Sequence, residues 1–216
     1  MLTREQFLPH EMRIVAGLRT QGVSDEQVIV RVKSENLFQY PTERMVANRA
    51  TVCLRRLGAM VPTDAACAAR GIDPKTAVEA ALSLTGLMAS GTPTQADQAI
   101  FYSMICRYDI VREFVLVEVG ERLQNFDYAF TAADLNAFMT RFTTEYPDAA
   151  RWTEATVKRI KGSIRQTLRH AGLIGEGMGP ESERLSPLFL DSDVERALVQ
   201  LGEQPLIAAL TGREVM

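Results

Sequence analysis

The chain has 216 residues, 46% of them hydrophobic and 24% charged, with a formal net charge of −3. That length buries a proper core and suits one large domain or two to three small ones, and the composition is ordinary for a soluble globular protein. The absence of any apolar run of about 18 residues excludes a membrane-spanning helix, and the acidic total argues against a nucleic-acid binder unless the cations are gathered in one place.

Thr3-Arg-Glu-Gln6 fits a capping box and predicts a helix to about Arg19, with Phe7, Ile14 and Leu18 inward. Gln21-Gly22 breaks it. Ser24-Asp-Glu-Gln27 is a second capping box, opening a helix that carries Val28 and Val32 and runs to about Asn36. Leu37 to Pro41 is the turn into a basic helix from Thr42, in which Val46, Ala50, Cys53 and Leu57 form the inner stripe. Opposite that stripe lie Arg44, Asn48, Thr51 and Arg55, side-chain types that read base edges or grip phosphates. Helix, helix, turn, long basic helix is a helix-turn-helix order, assigned to a first unit of residues 1–62.

Pro62-Thr63-Asp64 marks a boundary. From Asp73-Pro74 an apolar helix runs to Ser90-Gly91, and Thr92-Pro93-Thr94 opens another. The valine-rich stretch from Asp109 fits a buried helix better than a strand, because its apolar run exceeds about ten residues without turn signals. Residues 63–130 are expected to form a central helical bundle.

A third unit, residues 131–216, begins at the N-cap Thr131. After a loop through Tyr146-Pro147-Asp148, Thr153 caps a helix to His170, with Val157, Ile160, Ile164, Leu168 and Ala171 on one apolar stripe. Lys158, Lys161, Arg165 and Arg169 make a second stripe beside it, and Arg159 falls on the far side. Leu173-Ile174, a glycine-rich tip at 175–179 and the run Leu185 to Leu190 predict a short hairpin, a wing behind a recognition helix. Residues 42–61 align without gaps on 153–172, a short match that hints at duplication. Asp191-Ser192-Asp193 then opens a helix, and residues 206–210 form a last turn.

The segment 42–57 carries four arginines against one glutamate, net +3, and 153–170 carries five cations against one glutamate, net +4, leaving −10 for the rest. Two basic helices on an acidic body give a localised positive footprint. The candidate nucleic-acid-binding set is therefore Arg44, Asn48, Thr51, Arg55, Lys158, Arg159, Lys161, Arg165, Arg169 and Arg184, the last near the second wing strand. Against it stands a plain solvated helix face, which charge runs usually are. Five cations with a single acid favour phosphate binding for the second helix; for the first, groove reading and protein docking stand level. Trp152 is expected to be a core staple.

Catalysis finds little support. His10 and His170 lie on separate units, and HExxH, P-loop, GxSxG and CxxC motifs are absent. Cys53, Cys67 and Cys106 are odd in number and dispersed, pointing to reduced thiols in a cytoplasmic protein without disulfide or zinc site. No cofactor is expected, and the first residues lack a signal-peptide core.

The order of features resembles the BrxA family of bacterial BREX phage-exclusion systems. It includes FLPHEMRIVAGL, the Glu35-Asn36-Leu37 turn and the helix ending in Arg56-Leu57. It continues with REFVLVEVGERL and the helix Thr153-x-x-Thr156-x-Lys158 followed by HAGLI. The resemblance spans nearly the whole chain on diffuse patterns. It implies a small helical, non-enzymatic DNA-binding component, working beside other BREX proteins: a methyltransferase, a phosphatase-like protein, an ATPase and a Lon-like protease. Members also carry the description of inner-membrane protein, against which stands the lack of a spanning segment here. The expectation is a mainly α protein with two helix-turn-helix-like units, the C-terminal one winged, that binds double-stranded DNA largely through its backbone. A scaffold docking its basic helices on acidic proteins, and an RNA-binding protein, remain the alternatives; oligomeric state is not legible.

Overall fold

Proline sets where the first helix begins. In the computed structural model, which describes residues 6–176 and 183–213, α1 spans Pro9–Thr20 with Pro9 in its first turn. The expected start at Thr3 is corrected. Thr3 lies outside the described residues, Gln6 to Leu8 are not helical, and Leu8 takes a left-handed conformation (φ 57°). The ring of Pro9 crowds the residue before it out of the right-handed helical region, so a helix cannot run through Leu8.

Later starts follow their caps. Ser24 and Gln27 close a capping box at 3.3 and 3.2 Å over α2 (Asp25–Ser34). The Thr42 hydroxyl accepts from the Met45 amide at 3.3 Å and opens α3 (Glu43–Ala59). Where a boundary was expected at Pro62, Thr63 caps a further short helix, α4 (Asp64–Arg70). Asp73 caps α5 (Pro74–Ser90), and α6 (Pro93–Arg107) follows.

The next helix begins as α7 (Asp109–Glu113), widens to a π-helical segment at Phe114–Val119, and closes as α8 (Gly120–Gln124). Then come β1 (Ala129–Phe130), α9 (Ala132–Glu145), a 3-10 turn at Ala149–Arg151 and α10 (Glu154–His170). Strands β2 (Ile174–Glu176) and β3 (Glu183–Leu185), then α11 (Ser192–Gln200) and α12 (Gln204–Thr211), complete the order. The fold is mainly α. The tip expected at 175–179 falls largely outside the described residues.

The chain groups into two compact units. The N-terminal unit comprises Leu8–Arg107 and Leu190–Glu203. Here α1 packs on α5, α3 on α6, α2 on α3, and α11 on α5 and α6. Ala16 of α1 and Ala77, Ala80 and Ala81 of α5 are buried, small side chains that let helices approach closely. The inner stripe of α3 is buried as its spacing predicts: Val46, Ala50, Cys53 and Leu57. Ile14 of α1, expected inward, is only half-buried.

This core also contains charge. Arg56 is fully buried and Glu11 is 7% exposed. The Tyr40 hydroxyl donates to the Glu11 carboxylate, while Arg49, Glu11 and Arg56 all act on the neighbouring Cys53 thiol. A second buried carboxylate, Glu203, accepts from Arg70 Nη1 at 2.9 Å and from the Tyr102 hydroxyl at 3.3 Å.

The C-terminal unit comprises Met1–Phe7, Tyr108–Phe189 and Gln204–Met216. Phe114 meets Phe130 and Phe138 edge-on at 6.1 and 4.9 Å, so the π-helical segment, β1 and α9 share one aromatic core. α12 packs on the π-helical segment and α8. Gly120 allows that approach, because a Cβ there would stand 2.9 Å from the Cβ of Ala209. The sheet order is β1-β3-β2, all antiparallel, with Gly175 and Ala129 both opposite Arg184. A hairpin was expected here with its second strand at 185–190; the strand instead lies at Glu183–Leu185, and residues 186–190 are not in a strand. Strand β1 was not expected, since two residues are too few to show a period.

Candidate nucleic-acid interface

Each unit presents one basic helix. In the N-terminal unit, the face of α3 turned away from the core carries Arg44, Asn48 and Arg55, all exposed. Thr51, on the same face, is half-buried, and its hydroxyl donates to the Ala47 carbonyl at 2.9 Å. Among the described residues, Arg44, Asn48 and Arg55 make no side-chain hydrogen bond or ion pair. A cation without a protein partner keeps its full charge for a ligand. At the start of α3, Glu43 pairs with Lys33 of α2 at 3.3 Å, so the one acid of the helix is already engaged.

In the C-terminal unit the basic helix is α10. The Thr153 hydroxyl accepts from the Thr156 amide at 3.2 Å and fixes its start. Ile160, Ile164 and Leu168 are fully buried, and Thr167 joins them. Val157 and Ala171, expected on the same stripe, are half-buried, because they sit towards the ends of the helix. Trp152 is half-buried and stacks on Phe142 at 6.0 Å, holding the α9–α10 connection.

Support for this helix comes from α9 and the sheet. Arg122 donates to Asp127 at 2.6 Å, to Asp134 at 2.5 Å and to the Ala129 carbonyl at 3.1 Å. Asp134 also accepts from the Thr131 amide at 2.7 Å, so one guanidinium ties β1 to the first turn of α9. Across the two helices, Lys161 Nζ donates to Asn136 Oδ1 at 2.6 Å.

The cations of α10 fall into two groups. Lys158 and Arg159 are exposed and have no partner among the described residues. Arg165 and Arg169 are not free: Arg165 Nε donates to Glu183 at 2.6 Å, and Arg169 Nη2 donates to the other oxygen of the same carboxylate. Glu183 is only 8% exposed. Two guanidiniums thus share one buried carboxylate, which fixes their planes and removes one unit of positive charge from the strip. Arg184, next on β3, is exposed and lies over the Tyr128 ring at 5.1 Å. Lys158, Lys161 and Arg165 also line a groove of about 230 Å³ between α9 and α10, with Gly162 in its wall.

Sequence reasoning missed Glu183, Asn136 and Tyr128. The signal for Glu183 was present: side chains alternate along a strand, so Glu183 and Leu185 share one face of β3, and that face is the inner one.

Among the described residues no group of three His, Cys, Asp or Glu side chains stands ready to hold a metal ion. Nor is any helix there long and apolar enough to cross a membrane. Cys53 and Cys67 are buried free thiols and Cys106 is half-buried.

Known proteins share the fold and the family of this chain. A crystal structure of an uncharacterized protein from Magnetospirillum magneticum superposes with a TM-score of 0.74 at 18% identity, covering 98% of this chain and 97% of that one. The two therefore share a fold. The BREX protein BrxA of Escherichia coli O9:H4 (strain HS) is 21% identical over 127 residues, 59% of this chain and 58% of that protein. The alignment thus spans a little over half the length of this relative. The sequence profile of the BrxA family matches residues 1–202, nearly the whole chain, and the protein belongs to the BrxA family.

Proposed function

We propose that this protein is a non-enzymatic, DNA-binding component of a BREX phage-defence system, acting in the cytoplasm beside other BREX proteins. It grips duplex DNA mainly by its phosphates. The observation that carries the reading is the state of the cations. Arg44, Arg55, Lys158 and Arg159 are exposed and unpaired among the described residues of an acidic chain, which a solubility face of mixed charges would not leave so. The order α8, β1, α9, α10, β2, β3 supports a winged helix-turn-helix reading of the C-terminal unit, with α10 as the helix facing the duplex. Membership of the family, and the name of its Escherichia coli relative, support the place in phage defence.

The test is a titration of the pure protein against random duplex at several salt concentrations. With ~4–6 phosphates neutralised, log K should fall against log salt with a slope of about −4 to −5. Binding that ignores salt, or is absent at low salt, would favour docking on acidic proteins; preference for RNA in competition would redirect the reading to RNA.

A further inference from the structure

We infer that the groove between α9 and α10 is a seat for one backbone phosphate, with Gly162 in its wall. The inference rests on the duplex-binding reading and adds where on α10 the backbone approaches most closely. Gly162 sits in the middle of a 17-residue helix. Glycine disfavours a helix interior more than any residue except proline, so its presence there asks for a reason. Neither backbone nor packing supplies one. Gly162 is in regular helix, and a Cβ added to it would meet nothing within 4 Å.

The surroundings supply the reason. Lys158, Lys161 and Arg165 line the same groove of about 230 Å³, together with Ala132, Leu135 and Asn136, and none of these lining residues is acidic. Asn136 accepts from Lys161 through its oxygen, which leaves its amide nitrogen as a further donor, unused among the described residues. Of the acids on these two helices, Asp134 is taken up by Arg122 and Thr131, and Glu145 and Glu154 do not line the groove. Two lysines, a guanidinium whose charge is already shared with Glu183, and an amide donor thus surround a helix surface kept bare. A phosphate entering between the cations needs the volume that a side chain at 162 would fill.

The experiment uses the full chain with Gly162→Ala and Gly162→Gln, neither of which alters net charge. Each variant is melted and titrated with random duplex at several salt concentrations. Gly162→Ala should raise the melting temperature by about 2–4 °C, since it improves the helix without crowding anything. Even so it should bind duplex more weakly than wild type. Gly162→Gln should lower affinity about tenfold and make the salt slope shallower by about 1, the signature of one lost phosphate contact. If both variants bind as wild type does, with an unchanged slope, the groove is not a phosphate seat, while the duplex reading stands. If wild type itself fails to bind duplex, both readings fall together.

Discussion

Tyr40 shows how a residue outside every regular element holds a helix pair together. Its hydroxyl donates to the buried Glu11 of α1, close to Arg49 and Cys53 of α3. Burial, then the hydrogen bond to the Glu11 carboxylate, push the Tyr40 phenol up from 10.0 to about 12. The folded protein therefore holds that proton more tightly than the unfolded chain. The resulting stabilisation is complete below pH 10.0 and is lost as pH rises through about 12. Tyr40→Phe should cost roughly 1–3 kcal/mol near neutral pH, because a buried carboxylate loses a donor. It should then lose less stability than wild type between pH about 10 and about 12, measured by urea denaturation at each pH. The Cys53 thiol, pushed up to about 12 by burial, lies beside Tyr40 and loses its proton over the same range, so a Cys53→Ala background isolates the Tyr40 contribution. Of this cluster only Cys53 was legible as core from periodicity. Arg56 was recoverable, since it follows Cys53 by three residues and shares its face, but a charge is assigned to the surface unless its partner is known.

At the scale of elements, caps and apolar stripes were the reliable signals, because both are local. Ser24, Thr42, Asp73, Thr131, Thr153 and Asp191 each stand immediately before a helix. What escaped was decided by distant partners. The π-helical segment at Phe114–Val119 forms where α12 packs, more than eighty residues on, and β1 exists only by pairing with β3. The candidate site was half legible for the same reason: the cations of α10 are local, but Glu183 reaches two of them from β3. The helix therefore divides into residues that support the fold and residues free to bind. Ile164→Ala or Leu168→Ala should cost roughly 2–5 kcal/mol by opening a cavity, read from chemical denaturation. The double change Lys158→Ala with Arg159→Ala should stay within about 0.5 kcal/mol of wild type yet weaken duplex binding at every sequence. Arg165 is best left out of that set, because its removal would leave Glu183 buried with one partner fewer. Early melting with normal binding in the double variant would mean that α10 presents another face to its ligand.

Over the whole molecule, the net charge of −3 conceals where charge is available. Arg56 is inside the N-terminal unit, and Glu183 offsets one charge of α10, so both basic helices are weaker at the surface than residue counts imply. What remains on α3 is a spaced set, Arg44, Asn48 and Arg55, with the hydroxyl of Thr51 turned back on its own helix. A set of that kind can read bases or hold phosphates, and the two uses differ in what a substitution does. If α3 enters a major groove, its N-terminal half lies deepest, which makes Arg44 and Asn48 base contacts and Arg55 a phosphate contact. Asn48→Ala should then lower the preference at one base position by about 1–3 kcal/mol and leave binding to other sequences intact. Arg55→Ala should weaken binding equally for all sequences and make the salt slope shallower by about 1. Selection from a randomised duplex pool, followed by titration of the enriched site against scrambled sequence, measures both. If neither variant differs from wild type on DNA while assembly with partner proteins suffers, α3 is a docking face, and duplex binding belongs to α10 alone.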